Sequence, residues 1–141
     1  MARLPRMIAL FALLVAGNAL AQTLEVELRG VQHERGSLRV GLYVDPKTFR
    51  KEVQAFQVKQ VSARPGTVKV EFSDLKPGTY AIMAYHDEDG NGELNRRLGM
   101  FPTEGYGLSK NPEIIGPPTF EESEFRVGSE AVTRIGIDMR Y

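Results

Sequence analysis

The sequence predicts an all-β fold, an antiparallel β-sandwich of about seven strands, immunoglobulin-like or prealbumin-like. Three observations carry this expectation. Apolar and polar residues alternate in several short runs, turn pairs built on Gly and Pro separate those runs, and almost nothing has helical periodicity.

In chain order the first element is not a strand. Arg3 and Arg6 precede the apolar run 7–15, and Ala19, Leu20 and Ala21 follow, which is the basic, apolar and small-residue order of a secretory signal. Cleavage is expected after Ala21, leaving 22–141 as a single β-sandwich domain, a length that suits one core. Leu4 and Pro5 separate the arginines, which argues against a twin-arginine signal, and without cysteine no lipid can be attached at the cut. The apolar run falls short of the roughly 20 residues of a membrane span, and no later run approaches that length. The mature chain is therefore expected to carry no span and to be periplasmic or secreted.

Strict alternation marks strands at Leu24 to Arg29, Leu38 to Leu42 and Val68 to Phe72, since period two sends one set of side chains inward. Thr79 to Tyr85 and Ala131 to Met139 follow from β-branched and aromatic content, with weaker signals at Phe56 to Val61 and Phe125 to Val127. Reversals fall at Arg35-Gly36, Pro65-Gly66, Pro77-Gly78 and Gly128-Ser129. One short helix is expected over 45–52, with Asp45 as cap and Pro46 in the first turn. Leu75 to Tyr80 resembles a tyrosine corner, in which a turn delivers a tyrosine whose hydroxyl bonds back to upstream backbone.

The strand 79–85 is apolar on both faces, with Tyr80, Ile82 and Ala84 opposite Ala81, Met83 and Tyr85. Something must cover the second face. The obvious cover is the stretch 87–123, which holds six of the 14 glycines and four of the eight prolines and is too long for an ordinary connection.

Composition narrows the function classes. Eighteen basic residues balance 18 acidic ones, and removing Arg3 and Arg6 leaves 16 against 18, a charge of minus two, so nucleic acid is not an expected partner. With no cysteine there is no disulfide, and an exported domain must rely on its core, on assembly or on a metal.

The sharpest local signal is 87–95, where oxygen-bearing residues recur at every second position. Taking Asp87 as the first position, Asp87, Asp89 and Asn91 supply side-chain oxygens, Gly92 allows the turn, Glu93 offers its carbonyl and Asn95 the ninth position. That is the order of an EF-hand-type Ca2+ loop. Position twelve is Leu98 rather than a bidentate glutamate, and no flanking helix is expected, so a full EF-hand is excluded. Glu104, Glu121 and Glu122 are the nearest carboxylates that could complete a site. The competing reading is a bare surface turn built on Asp-Gly and Asn-Gly.

No convincing catalytic constellation stands out, and the expectation is a non-enzymatic protein. A small hydrolase using His86 with Asp87 or Ser109 lacks a nucleophile elbow, His33 reads as a solvated turn residue, and Glu121, Glu122 and Glu124 read as a solvated face. The alternative is a surface recognition module for a glycan or an envelope protein, using Phe101, Tyr106 and Phe120 of the long loop. Those aromatics could equally pack onto the sheet as its lid. Arg96 and Arg97 are expected to be solvated, with contact to an acidic partner as the alternative.

Pro77-Gly78-Thr79-Tyr80, His86-Asp87, Asp89-Gly90-Asn91-Gly92, Glu104-Gly105-Tyr106-Gly107 and Gly116-Pro117-Pro118, together with the export signal, resemble the bacterial family called domain of unknown function twenty-one forty-one. The resemblance spans nearly the whole mature chain and implies an exported bacterial protein with this fold. It implies no particular activity. The family loop commonly carries aspartate where this chain has Asn95, one charge fewer for a cation.

Overall fold

The computed structural model describes residues 22–141; the secretory-signal reading falls on 1–21, outside the described residues. Five long strands come first: β1 (Gln22–Val31), β2 (Ser37–Tyr43), β3 (Gln57–Ser62), β4 (Gly66–Leu75) and β5 (Gly78–Asp87). Three short strands, β6 (Arg96–Arg97), β7 (Phe101–Pro102) and β8 (Tyr106–Leu108), arise inside the long loop. A helix of one turn, α1 (Phe120–Ser123), leads into β9 (Phe125–Val127) and β10 (Val132–Asp138).

Each strand expected from alternation or β-branched content is present, and the sandwich forms as expected. One sheet has the order β10-β1-β4 and the other β3-β2-β5-β8, with β9 on the far half of β5. All pairings are antiparallel except β1 with β10, which run parallel from Thr23 opposite Val132 to Arg29 opposite Asp138.

Alternation sets the core. Leu24, Val26 and Leu28 of β1 and Val68, Val70 and Phe72 of β4 face Leu38, Val40 and Leu42 of β2 and Ile82 of β5 between the sheets. Each such side chain contributes about 1.5–3 kcal/mol by leaving water. β4 and β5 lie in different sheets, and the crossing between them is pinned by Tyr80, whose hydroxyl donates to the Lys76 carbonyl at 2.6 Å. This is the expected tyrosine corner.

The outer face of β5 is covered as well. Ala81, Met83 and Tyr85 pack with Tyr43, Phe49, Leu94, Leu108 and Phe120 in a second apolar cluster, three of those five covering residues coming from the 87–123 stretch. The lid accounts for a strand that is apolar on both sides.

The helix expected over 45–52 does not form. Asp45 caps a turn, its Oδ1 accepting from the Lys47 N–H at 2.9 Å, but Arg50 takes a left-handed φ of 69°, which ends any α-helix there. Only a 3-10 turn over Glu52–Gln54 follows. The single short α-helix is α1 instead, held by a capping box between Thr119 and Glu122.

Candidate functional site

The candidate site is built where β5 runs out. Asp87 ends the strand 2% exposed, and its carboxylate turns the chain by accepting from the Asn91 N–H at 3.1 Å and the Gly92 N–H at 2.9 Å. Gly90 and Gly92 make that curl with left-handed φ of 72° and 77°. Asp89, on the outside of the curl, accepts from the Asn91 N–H at 3.2 Å and from the Asn95 amide at 2.7 Å. Asn91 donates its amide to Asn95 Oδ1 at 2.6 Å and accepts from the Glu93 N–H at 3.0 Å.

Glu104 closes the arrangement from the far side of the β6–β7 hairpin. It is 5% exposed, and it accepts from the Glu88 N–H at 3.2 Å, the Asn95 N–H at 3.1 Å and the Asn95 amide at 3.1 Å. Its position is fixed by the next residue, where the His86 N–H donates to the Gly105 carbonyl at 2.7 Å. Carboxylate oxygens of Asp87, Asp89 and Glu104 all lie within 4.8 Å of one another. No ion pair neutralises any of the three among the described residues. Burial, aided by the neighbouring Asp89 and Asp87 charges, pushes the Glu104 carboxyl up, while the Asn95 amide holds Asp89 below the usual carboxylate range.

Of the loop residues singled out by spacing, Asp87, Asp89, Asn91 and Asn95 come together. Glu93, whose carbonyl the loop reading uses, also lines a neighbouring cavity with Tyr43, Arg50, Glu52 and Tyr85. Among the three more distant carboxylates, Glu104 joins the cluster, whereas Glu122 is occupied in the capping box of α1. Glu104 had no local signal beyond its place in Glu104-Gly105-Tyr106-Gly107.

A second cluster lies on the other side of Asp87. His33 donates from Nε2 to the Glu88 carboxylate and accepts from the Arg35 N–H at Nδ1, 3.2 Å. The His33 ring stacks at 4.3 Å on His86, which is fully buried. His86 Nε2 lies 2.6 Å from the Arg35 carbonyl and therefore carries the proton, leaving Nδ1 to accept from the Tyr141 hydroxyl at 2.7 Å. His33 is thus half-buried and bonded rather than solvated. Tyr141 was missed because the C-terminus reaches this point only through the bridge between Tyr106 and Arg140.

The hydrolase constellation does not assemble. Ser109 is 1% exposed; its hydroxyl donates to the Ser123 carbonyl at 2.5 Å and accepts from the Ile82 N–H at 2.8 Å, which ties the lid to β5. Both nitrogens of His86 are occupied elsewhere. The loop aromatics divide: Phe120 is buried in the lid, Tyr106 packs half-buried beside it, and Phe101 is 55% exposed.

The fold and loop define a small all-β sandwich whose longest connection folds back as a lid beside a carboxylate cluster. The chain belongs to the family described as an uncharacterized protein conserved in bacteria (DUF2141), whose model matches residues 26–135. No curated protein and no solved structure matches it. Among the described residues, no helix is long and apolar enough to cross a membrane.

Proposed function

We propose that this is a non-enzymatic exported module, periplasmic or secreted, whose 87–104 loop takes a structural Ca2+. The observation that carries the reading is the convergence of Asp87, Asp89 and Glu104 without a counter-charge. Two ligands each about 2.4 Å from one Ca2+ can be at most about 4.8 Å apart, and these oxygens meet that limit. Asn91 and Asn95 add two side-chain oxygens on the same curl. The Asn95 amide, which donates to both Asp89 and Glu104, stands where positive charge is wanted.

A cation there would tie the end of β5 to the segment entering β8 and hold the lid between them. Export would suit a permanent brace, since calcium outside the cytoplasm is about 1 mM. With a Kd of about 10 μM, occupancy would add roughly 2.7 kcal/mol, a useful amount for a chain without disulfides. Calorimetric titration with CaCl2 and melting with and without a chelator test it. Binding heat with a higher melting temperature is expected, and the absence of both overturns the reading.

A second reading, recognition of a glycan or envelope protein, has support from one observation: Phe101 remains exposed at the tip of the β6–β7 hairpin.

A further inference from the structure

The lid leaves a groove between the 49–51 turn, the β6–β7 hairpin and the 112–118 segment, with a volume of about 760 Å³. Clefts of about 300–1,000 Å³ are the size that small molecules occupy. Four cations line it, Arg50, Lys51, Arg96 and Arg140, and no carboxylate does. In a chain with equal numbers of acidic and basic residues this is a local excess.

Three of those cations are uncommitted. Arg140 donates to the Pro112 carbonyl at 2.6 Å, but the side chains of Arg50, Lys51 and Arg96 make no hydrogen bond or ion pair among the described residues. Beneath them the groove is apolar: Phe49 and Met83 are buried, and Tyr106 and Ile114 are half-buried. At its edge Met100 and Phe101 stay exposed at 66% and 55%. A smaller cavity adjoins it, sharing Arg50, Met83 and Arg96 and carrying Glu52 and Glu93. Glu52 is held by Arg39 and by the Tyr85 hydroxyl, and neither it nor Glu93 makes an ion pair with Arg50 or Arg96 among the described residues.

We propose that this groove binds a small amphiphile with one anionic head. The head, a carboxylate or phosphate, sits at Arg50 and Arg96, whose planar guanidinium groups match either group in bidentate fashion. The apolar body lies over Phe49 and Met83 and is covered by Phe101. A neutral sugar would use Phe101 but leave the cations without partners, and an acidic polymer would use the cations but gain nothing from the buried apolar floor. The proposal goes beyond the calcium reading and does not depend on it, because none of the four cations belongs to the carboxylate cluster.

Titration calorimetry on the purified chain with octanoate, octyl phosphate, octan-1-ol and inorganic phosphate, all below micelle-forming concentrations, tests it. At least one of the two anionic amphiphiles is expected to bind at least tenfold more tightly than octan-1-ol and than inorganic phosphate, and the tighter of the two identifies the preferred head. The double variant R50Q/R96Q is expected to weaken that binding at least tenfold with the melting temperature unchanged, since neither side chain supports the fold. The proposal is overturned if neither amphiphile binds saturably, if octan-1-ol or inorganic phosphate binds equally well, or if the double variant binds like the parent. Calcium binding is read by a separate titration on the same sample, so either proposal can fail alone.

Discussion

Glu104 holds Asn95 by both ends, one carboxylate oxygen accepting from its backbone N–H and the other from its side-chain amide, each at 3.1 Å. That pair joins the curl after β5 to the segment entering β8 whether or not a cation is present. Glu104→Ala strands the Glu88 and Asn95 N–H groups, and the metal-free protein is expected to lose about 1–3 kcal/mol. Asp89→Asn keeps the shape of an exposed residue and removes one charge from the cluster. Its melting temperature in chelator should stay near the parent's, while the rise on adding calcium should disappear. Denaturation of both variants with and without calcium separates the scaffold role from the ligand role.

Gly36 presses on Asp87 from the opposite side. It has a φ of +69°, and a Cβ there would lie 1.9 Å from the Asp87 carbonyl oxygen, a backbone atom at the start of the curl. Left-handed backbone alone costs an ordinary residue roughly 1–2 kcal/mol. Gly36→Ala is therefore expected to lose at least about 2 kcal/mol in urea denaturation. Because the displaced atom belongs to Asp87, it should also weaken calcium binding.

Two buried tyrosines predict how the fold fails in alkali. Burial, with the nearby Glu52 charge, pushes Tyr43 up to about 12, and burial together with its hydrogen bond to Glu52 pushes Tyr85 higher still. An unfolded tyrosine ionises near 10, so the folded chain holds these protons more tightly. Stability from both groups is complete below pH 10 and is lost as pH rises through the folded values. For Tyr43 the loss is at most about 2 kcal/mol once solvent screening is allowed for. Absorbance titration near 295 nm should show tyrosines ionising late, in step with the loss of native circular dichroism. Early ionisation of all five tyrosines would contradict the packing of the lid.

The strands were legible because alternation is local: Leu24, Val26 and Leu28 declare an inward face without reference to any partner. Asp87, Asp89, Asn91 and Asn95 were legible for the same reason, lying on one continuous curl. Glu104 was legible only as one of three candidate carboxylates, since only the β6–β7 hairpin and the bond from His86 to Gly105 bring it back. His33 and Tyr141 meet His86 through a sheet crossing and a C-terminal bridge, both non-local. The helix over 45–52 failed on one residue, Arg50, whose left-handed backbone no local rule requires. The α1 helix did have a signal, Thr119 followed three residues later by Glu122, directly after Pro117 and Pro118, and that capping pattern outperforms the Asp45-Pro46 start.

The lid predicts an asymmetry between two phenylalanines of the same loop. Phe120 is 5% exposed and meets Phe49 edge-on at 5.9 Å, within the cluster that covers Met83 and Tyr85. Removing it leaves a cavity over the outer face of β5, and Phe120→Ala should cost about 3–5 kcal/mol. Phe101 is 55% exposed at the hairpin tip, and Phe101→Ala should leave stability within about 0.5 kcal/mol of the parent. Urea denaturation of the two variants side by side measures the difference directly. Equal losses would mean that the 87–123 segment does not form a lid anchored at Phe120. A large loss confined to Phe120→Ala would place the stabilising contact of that segment on the outer face of β5.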